Sequence, residues 1–327
     1  GFWSLFLART GVGVGEGCSG PASQSMIADY FRRHELARAM GFLTIGATLG
    51  TATGVIAGGL LAESFGWRWA FILMGLPGIL LGLLLYLTVR EPKRGRYAPK
   101  GARIEQTSLR ETTGSLLMNK VFLGLVAGFA FQITIGYGMA TFVAPTMLRV
   151  FEVSTSDVAI FLGLAYLLGG IPGPLLGGFM TDWLTNLDER WRAWLPGILS
   201  VTCIIPFWIA LNSGGFWAFL GFFAVAYGMF VASQAPILSG IQNAVEPSQR
   251  GFAVAFALFF NNLIGQACGL AIIGALSDVL SGSYGDASLG TAVLIVCSIA
   301  GILALLAFAW TARQMRMSGY LEKMKHP

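Results

Sequence analysis

An arginine and a glutamate seven residues apart, Arg9 and Glu16, stand in a stretch made otherwise of apolar and small residues. Seven residues are nearly two helical turns, so on a helix both project to one side. Gly13, Gly20 and Ser23 share that side. A charge at the centre of a lipid-facing helix costs roughly 2.5–3.5 kcal/mol on insertion scales, so the pair is expected to face protein or a water-filled cavity. There Arg9 can hold an anionic group of a ligand, while Glu16 takes or releases a proton or pairs with Arg9. A static Arg–Glu bridge, or an Arg9 that snorkels to the interface, accounts for the same two residues.

Uncharged polar residues in other apolar stretches extend this set: Gln132, Tyr137, Tyr166, Gln234, Asn261, Asn262 and Gln266. Asn262 and Gln266 stack on one helical face. As a group they suggest a hydrated path; singly, each also suits hydrogen bonding between helices. At the expected cytoplasmic ends, Asp29 with Arg32, Arg33 and Arg38, and Asp182 with Arg190, are candidates for gate bridges; anchoring by basic residues with solvated acids explains them equally. The run GVGVGEG at Gly11–Gly17 has no preceding strand and no βαβ setting, which rules out a dinucleotide loop. His34 and His326 are isolated, so no metal site is expected. Cys18, Cys203, Cys268 and Cys297 fall in apolar segments without paired spacing and read as reduced packing residues.

The elements that must carry these residues are membrane helices. Of 327 residues, 55% are hydrophobic and 11% charged, against roughly 25% charged in soluble domains. Apolar stretches of about 20 residues, enough to cross the hydrocarbon as helices, are expected at 2–28, 37–62, 68–89, 119–145, 157–180, 194–212, 216–242, 252–279 and 290–312. Residues 90–118 read as a polar linker, and 313–327 as a tail. With the linker inside, 18 of the 21 Lys and Arg fall on the cytoplasmic side, against Arg68 and Arg149 on the other. Basic residues are retained in the cytoplasm, so the linker and C-terminus are expected there.

A shift of 215 residues superposes Gly13 on Gly228, Pro21 on Pro236, Gly50 on Gly265, Gly54 on Gly269, Gly59 on Gly274 and Glu63 on Asp278. Spans one to three thus repeat as spans seven to nine, the parallel repeat of transporter halves. Spans four to six have no copy, so three spans are expected to precede Gly1 in a twelve-span parent. Residues 1–89 would then be the second half of one six-helix bundle and 119–312 the whole of the other. Span two carries Gly46, Gly50, Gly54 and Gly58 in a four-residue stripe suited to close helix crossing. Pro21, Pro77, Pro172, Pro174, Pro206 and Pro236 are expected to kink or break helices.

The run LARTGVGVGEGCSGPASQSMIADYF followed by Arg38 resembles the fourth-helix signature of the major facilitator superfamily, and GGFMTDW with Arg190 resembles a degenerate form of its loop motif. With WRWAF, LTVREPKRG and NNLIGQACGLAIIGALSD, the chain is similar to spinster-like members over essentially its whole length. The resemblance implies an all-α polytopic membrane protein of the facilitator fold with nine of twelve spans present. It also implies alternating access, proton coupling, and a lysolipid or sphingolipid-type amphiphile as cargo; a small organic anion is the alternative. Arg9 and Glu16 match the headgroup-binding and coupling residues of the fourth helix, and Asp182 the gating acid. The expected setting is a bacterial inner membrane, with a monomer in the bilayer and no cofactor or nucleic acid. Paired acids or histidines at one depth, which an embedded enzyme would need, do not occur, and the loops are too short for a receptor's binding domain. On this reading, Arg9→Ala in the full-length parent abolishes flux while expression persists; unchanged flux in liposomes would remove Arg9 from the site.

Overall fold

Among its described residues the chain folds as helices; the computed structural model describes residues 2–30, 33–90, 109–151, 153–245 and 249–317. Two long helices open it, α1 (Phe2–Tyr30) and α2 (Arg33–Phe65), followed by α3 (Trp67–Thr88). After the linker come α4 (Leu109–Met118), α5 (Lys120–Val150), α6 (Thr155–Gly170), α7 (Pro172–Leu187), α8 (Trp191–Thr202) and α9 (Ile204–Asn212). The rest comprises α10 (Phe216–Ala232), α11 (Gln234–Asn243), α12 (Arg250–Phe260), a π-helical segment (Asn261–Cys268), α13 (Gly269–Tyr284) and α14 (Ser288–Met317). Among the described residues, seven helical stretches are long and apolar enough to cross a membrane: Trp67–Thr88, Lys120–Val150, Thr155–Leu187, Trp191–Asn212, Phe216–Asn243, Gly251–Tyr284 and Ser288–Met317. They coincide with expected spans three to nine, and α1 and α2 are helical over the first two. This is an all-α integral membrane protein.

Prolines explain most of the subdivisions. Pro206 and Pro236 lack an N–H, and their rings press on the carbonyls four residues earlier. The helices break accordingly at Cys203 and Ser233, each three residues ahead, and at Ile171 directly before Pro172. Pro77 stays inside α3, as do Pro145 inside α5 and Pro196 inside α8.

The chain forms two compact units, Gly1–Ala47 with Ile72–Glu105, and Thr48–Phe71 with Gln106–Pro327. In the first, the Tyr30 hydroxyl donates to the Arg90 carbonyl, tying the end of α1 to the end of α3. Among the described residues α3 has no buried side chain, and its apolar residues are exposed around the helix.

The second unit takes in the far half of α2, although composition alone groups 1–89 together. Its core has two clusters, one around Phe122, Leu125, Ile237 and Phe308, the other around Ile135, Met139, Phe207 and Phe223. Glycines set the helix spacing. A Cβ at Gly169, Gly173 or Gly177 would lie 2.3, 2.5 and 2.1 Å from the carbonyl oxygens of Ala224, Gly228 and Ala232, so α6 and α7 rest directly on the backbone of α10. Gly128 receives the Phe308 ring, and Gly124 receives Thr311 and Trp310, which seats α14 on α5.

The α2 contact differs from the expected stripe. Among the described residues nothing lies within 4 Å of a Cβ at Gly46, Gly50, Gly54 or Gly58. The packed face is instead Thr48, Ala52, Ile56 and Gly59, which meet Gly170, Gly163 and Ala159 of α6. The face is chosen by where α6 offers small residues, which periodicity along α2 cannot reveal.

Gly169→Val should lower the apparent melting temperature in detergent, because overpacking against backbone costs about 1–3 kcal/mol. Gly221→Ala, with nothing within 4 Å, should leave it nearly unchanged or slightly raised; equal losses for both would refute the seam.

Candidate functional site

The break between α10 and α11 positions the densest buried polar group in the second unit. Pro236 denies the Ala232 carbonyl its usual helical partner, and the chain turns at Ser233. Such freed backbone groups must be met from within the protein in a bilayer. Ser233 Oγ donates to the Phe230 carbonyl at 2.6 Å. Gln132 on α5 reaches across: its Nε2 donates to Phe230 O at 3.1 Å and to Ser233 Oγ at 2.6 Å. Its Oε1 accepts from Gln234 Nε2 at 3.3 Å. Gln132 is fully buried, and both its donors and its acceptor are engaged.

One turn along α5, Gly136 leaves room for the Phe230 ring, which a Cβ would strike. That ring starts an aromatic column. Phe230 lies 6.0 Å from Tyr227, Tyr227 stacks on Phe223 at 6.3 Å, and Tyr166 wedges against Tyr227 at 4.7 Å. The Tyr166 hydroxyl donates to the Ala140 carbonyl at 3.3 Å, pinning α6 to α5. Tyr166 is buried while Tyr227 is half-buried. Beside the column an apolar groove of about 480 Å³ runs between α6, α7 and α10, lined by Leu168, Pro172, Leu176, Val225 and Met229, with Leu199 of α8 at its edge.

The expected polar residues therefore divide. Gln132, Gln234 and Tyr166 belong to one connected region, and Tyr137 is exposed on α5. Asn261, Asn262 and Gln266 lie on the π-helical segment, whose presence no sequence signal announced. Asn261 is buried, and neither polar atom of its side chain has a hydrogen-bond partner among the described residues. Asn262 is exposed and Gln266 half-buried. The π segment packs closely on α5: a Cβ at Gly265 would lie 2.6 Å from Ala130 O, and one at Gly269 2.6 Å from Thr134 Cγ2.

Arg9 lies exposed on α1. The side chains of Glu16, Asp29 and Arg38 lie outside the described residues. Asp182 is exposed on α7, and Arg190 does not pair with it. The Arg190 guanidinium forks onto Asp188, Nε at 2.8 Å and Nη2 at 2.5 Å from Oδ2. That hydrogen-bonded carboxylate raises the guanidinium pKa above its ordinary value. Asp188 lies two residues from Arg190 across the short turn, whereas Asp182 lies five residues before the last residue of α7. Arg192 bonds Glu189 at 2.7 Å and Ser239 Oγ at 3.1 Å, linking the start of α8 to α11.

Sequence reasoning missed Tyr227, Ser233 and Arg192. Tyr227 stands seven residues before Gln234, the spacing that draws attention to Arg9 and Glu16, and that signal was available.

A sequence model of the Major Facilitator Superfamily matches residues 1–267. An MFS-type efflux pump of Mycolicibacterium smegmatis is 32% identical over 310 residues, covering 95% of this chain and 71% of the relative. Protein spinster homolog 1 of Rattus norvegicus is 27% identical over 334 positions, 95% of this chain but 63% of its own length. A sphingosine-1-phosphate transporter of Danio rerio is 26% identical, covering 95% and 66%. Among solved structures, an inward-facing, unoccupied bacterial homolog of the human lysosomal transporter Spinster superposes with a TM-score of 0.75 at 25% identity, over 95% of this chain and 77% of that one. The same homolog in its inward-facing, occupied form gives 0.67.

Gln132→Leu should destabilise the protein by about 1–2 kcal/mol through loss of interhelical hydrogen bonds, while Asn261→Leu should stabilise it, since an unsatisfied buried amide costs about 1–3 kcal/mol. Thermal unfolding of the two variants moving in the same direction would refute this division.

Proposed function

Because this chain belongs to the major facilitator superfamily, we propose that it is the larger part of a secondary transporter that works by alternating access, couples to protons and moves an amphiphile of the lysolipid or sphingolipid type. It is a transporter and not an enzyme. Nine spans of a twelve-span parent are present on this reading: 1–89 completes one bundle, 119–312 forms the other, and the linker and tail face the cytoplasm of a bacterial inner membrane.

The observation that carries the cargo class is the mismatch between apolar area and polar groups in the second unit. A cluster of three hydrogen-bonding side chains, Gln132, Ser233 and Gln234, sits at the end of an aromatic column. Beside it runs a groove lined by apolar side chains and glycine. A headgroup needs a few directed hydrogen bonds, and a hydrocarbon tail needs length without charge. The efflux, spinster and sphingosine-1-phosphate names of the relatives support the same reading. Arg9 and Glu16 supply headgroup charge and proton coupling, and Asp29, Arg38, Asp182 and Arg190 remain the proposed cytoplasmic gate, with Asp188 holding Arg190 in the state described here. The intramembrane Arg9 equally favours a small organic anion, the second reading.

The full-length parent in liposomes should move lysolipids under an imposed pH gradient and leave small organic anions behind. Anion flux without lysolipid flux would select the second reading, and flux of neither would remove the transporter assignment. Glu16→Gln should lose gradient-driven flux and keep part of the exchange; persistent dependence on the gradient would end the coupling role.

A further inference from the structure

The seam between α2 and α6 ends in a contact that the transport reading does not use. Glu63, in the last turn of α2, directs Oε2 to the backbone N–H of Ser156 at 2.6 Å. Ser156 is in the first turn of α6, where N–H groups have no partner within the helix. The helix's own cap, the Ser154 hydroxyl, accepts from Asp157 N at 3.1 Å, and Glu63 takes up the neighbouring Ser156 N–H from another helix. The helix dipole favours a carboxylate there. Directly behind this contact the helices touch through Gly59 and Ala159, then through Ile56 and Gly163. The bond thus closes the mouth of a seam built for close approach. It lies at the end that the charge tally assigns to the outside, and the repeat places an acid, Asp278, at the matching end of α13.

We propose that Glu63 is a latch: its carboxylate on the α6 N-terminus holds the α2–α6 seam shut at the outer end, and the bond must break for that end to open. The inference rests on the alternating-access reading. An acid on a helix N-terminus is reversible where the Gly59–Ala159 contact is all or none, because water can replace the carboxylate at an exposed position. Glu63 therefore sets the population of the closed state without locking it.

The test uses the full-length parent in lipid nanodiscs, with its native cysteines replaced by alanine and spin labels at Leu60→Cys and Leu164→Cys, both exposed. Glu63→Ala should raise the ratio of separated to closed seams by roughly twofold to fivefold, the range that a dipole-favoured charge at an exposed position supports. Glu63→Gln, which keeps an acceptor and loses the charge, should fall between. Ser156→Pro deletes the donor at a position in the first helical turn that accepts proline; it should match Glu63→Ala, and the double variant should go no further than either. Gly59→Trp, or Gly59→Leu if the indole blocks folding, should force the seam apart whatever Glu63 does. If the glycine variant separates the labels and the Glu63 and Ser156 variants do not, or if only one of these two does, the latch is wrong. If even the glycine variant leaves the distance unchanged, the alternating-access reading falls with it.

Discussion

Between helices in a bilayer the usual hydrophobic drive is missing, since lipid tails are as apolar as leucine; association rests on close contact and on hydrogen bonds between helices. In this protein that contact is made by glycines laid over the carbonyls of the facing helix. Gly169, Gly173 and Gly177 recur every four residues, as do the carbonyls of Ala224, Gly228 and Ala232 that they cover. Two backbones held this near each other fix the height of α10 against α6 and α7 within narrow limits. The turn at Ser233 directly follows the last covered residue, so the position of the polar cluster is a consequence of the seam.

The break at Ser233 then shows how the bilayer disciplines irregular backbone. A proline three residues on interrupts the ladder, and at the turn one amide side chain, Gln132, reaches across from α5 to the Phe230 carbonyl and the Ser233 hydroxyl. The same helix accommodates the π-helical stretch, where an added residue per turn would misalign the contact faces. Gly265 and Gly269 restore it by pressing onto Ala130 and Thr134. α5 is thus the common support: it satisfies the break in α10 with one face and seats the widened turn with another.

Much of this was legible in the chain itself. Hydrophobic runs of membrane length, a polar linker and the prolines at 172, 206 and 236 are properties of consecutive residues. A solvent that forbids unpaired backbone makes helices the outcome, and at these three prolines the missing N–H marks where one helix gives way to the next. The family was legible for the same reason, because its motifs are short and contiguous.

What the tertiary structure alone decided is which residue meets which. The four-residue stripe at Gly46, Gly50, Gly54 and Gly58 is more regular than the face α2 uses, yet Gly59 makes the contact because Ala159 stands opposite. Arg190 had Asp182 and Asp188 in reach of its sequence, and the turn delivered Asp188. Asn261 and Asn262 look alike in the chain, and a π turn buries one and exposes the other. In each case the deciding quantity is a distance between elements far apart in sequence, which composition and periodicity do not contain. Membrane residence and helical class follow from what the chain excludes from lipid, whereas the polar cluster and the seams follow from which backbones approach closely enough to touch.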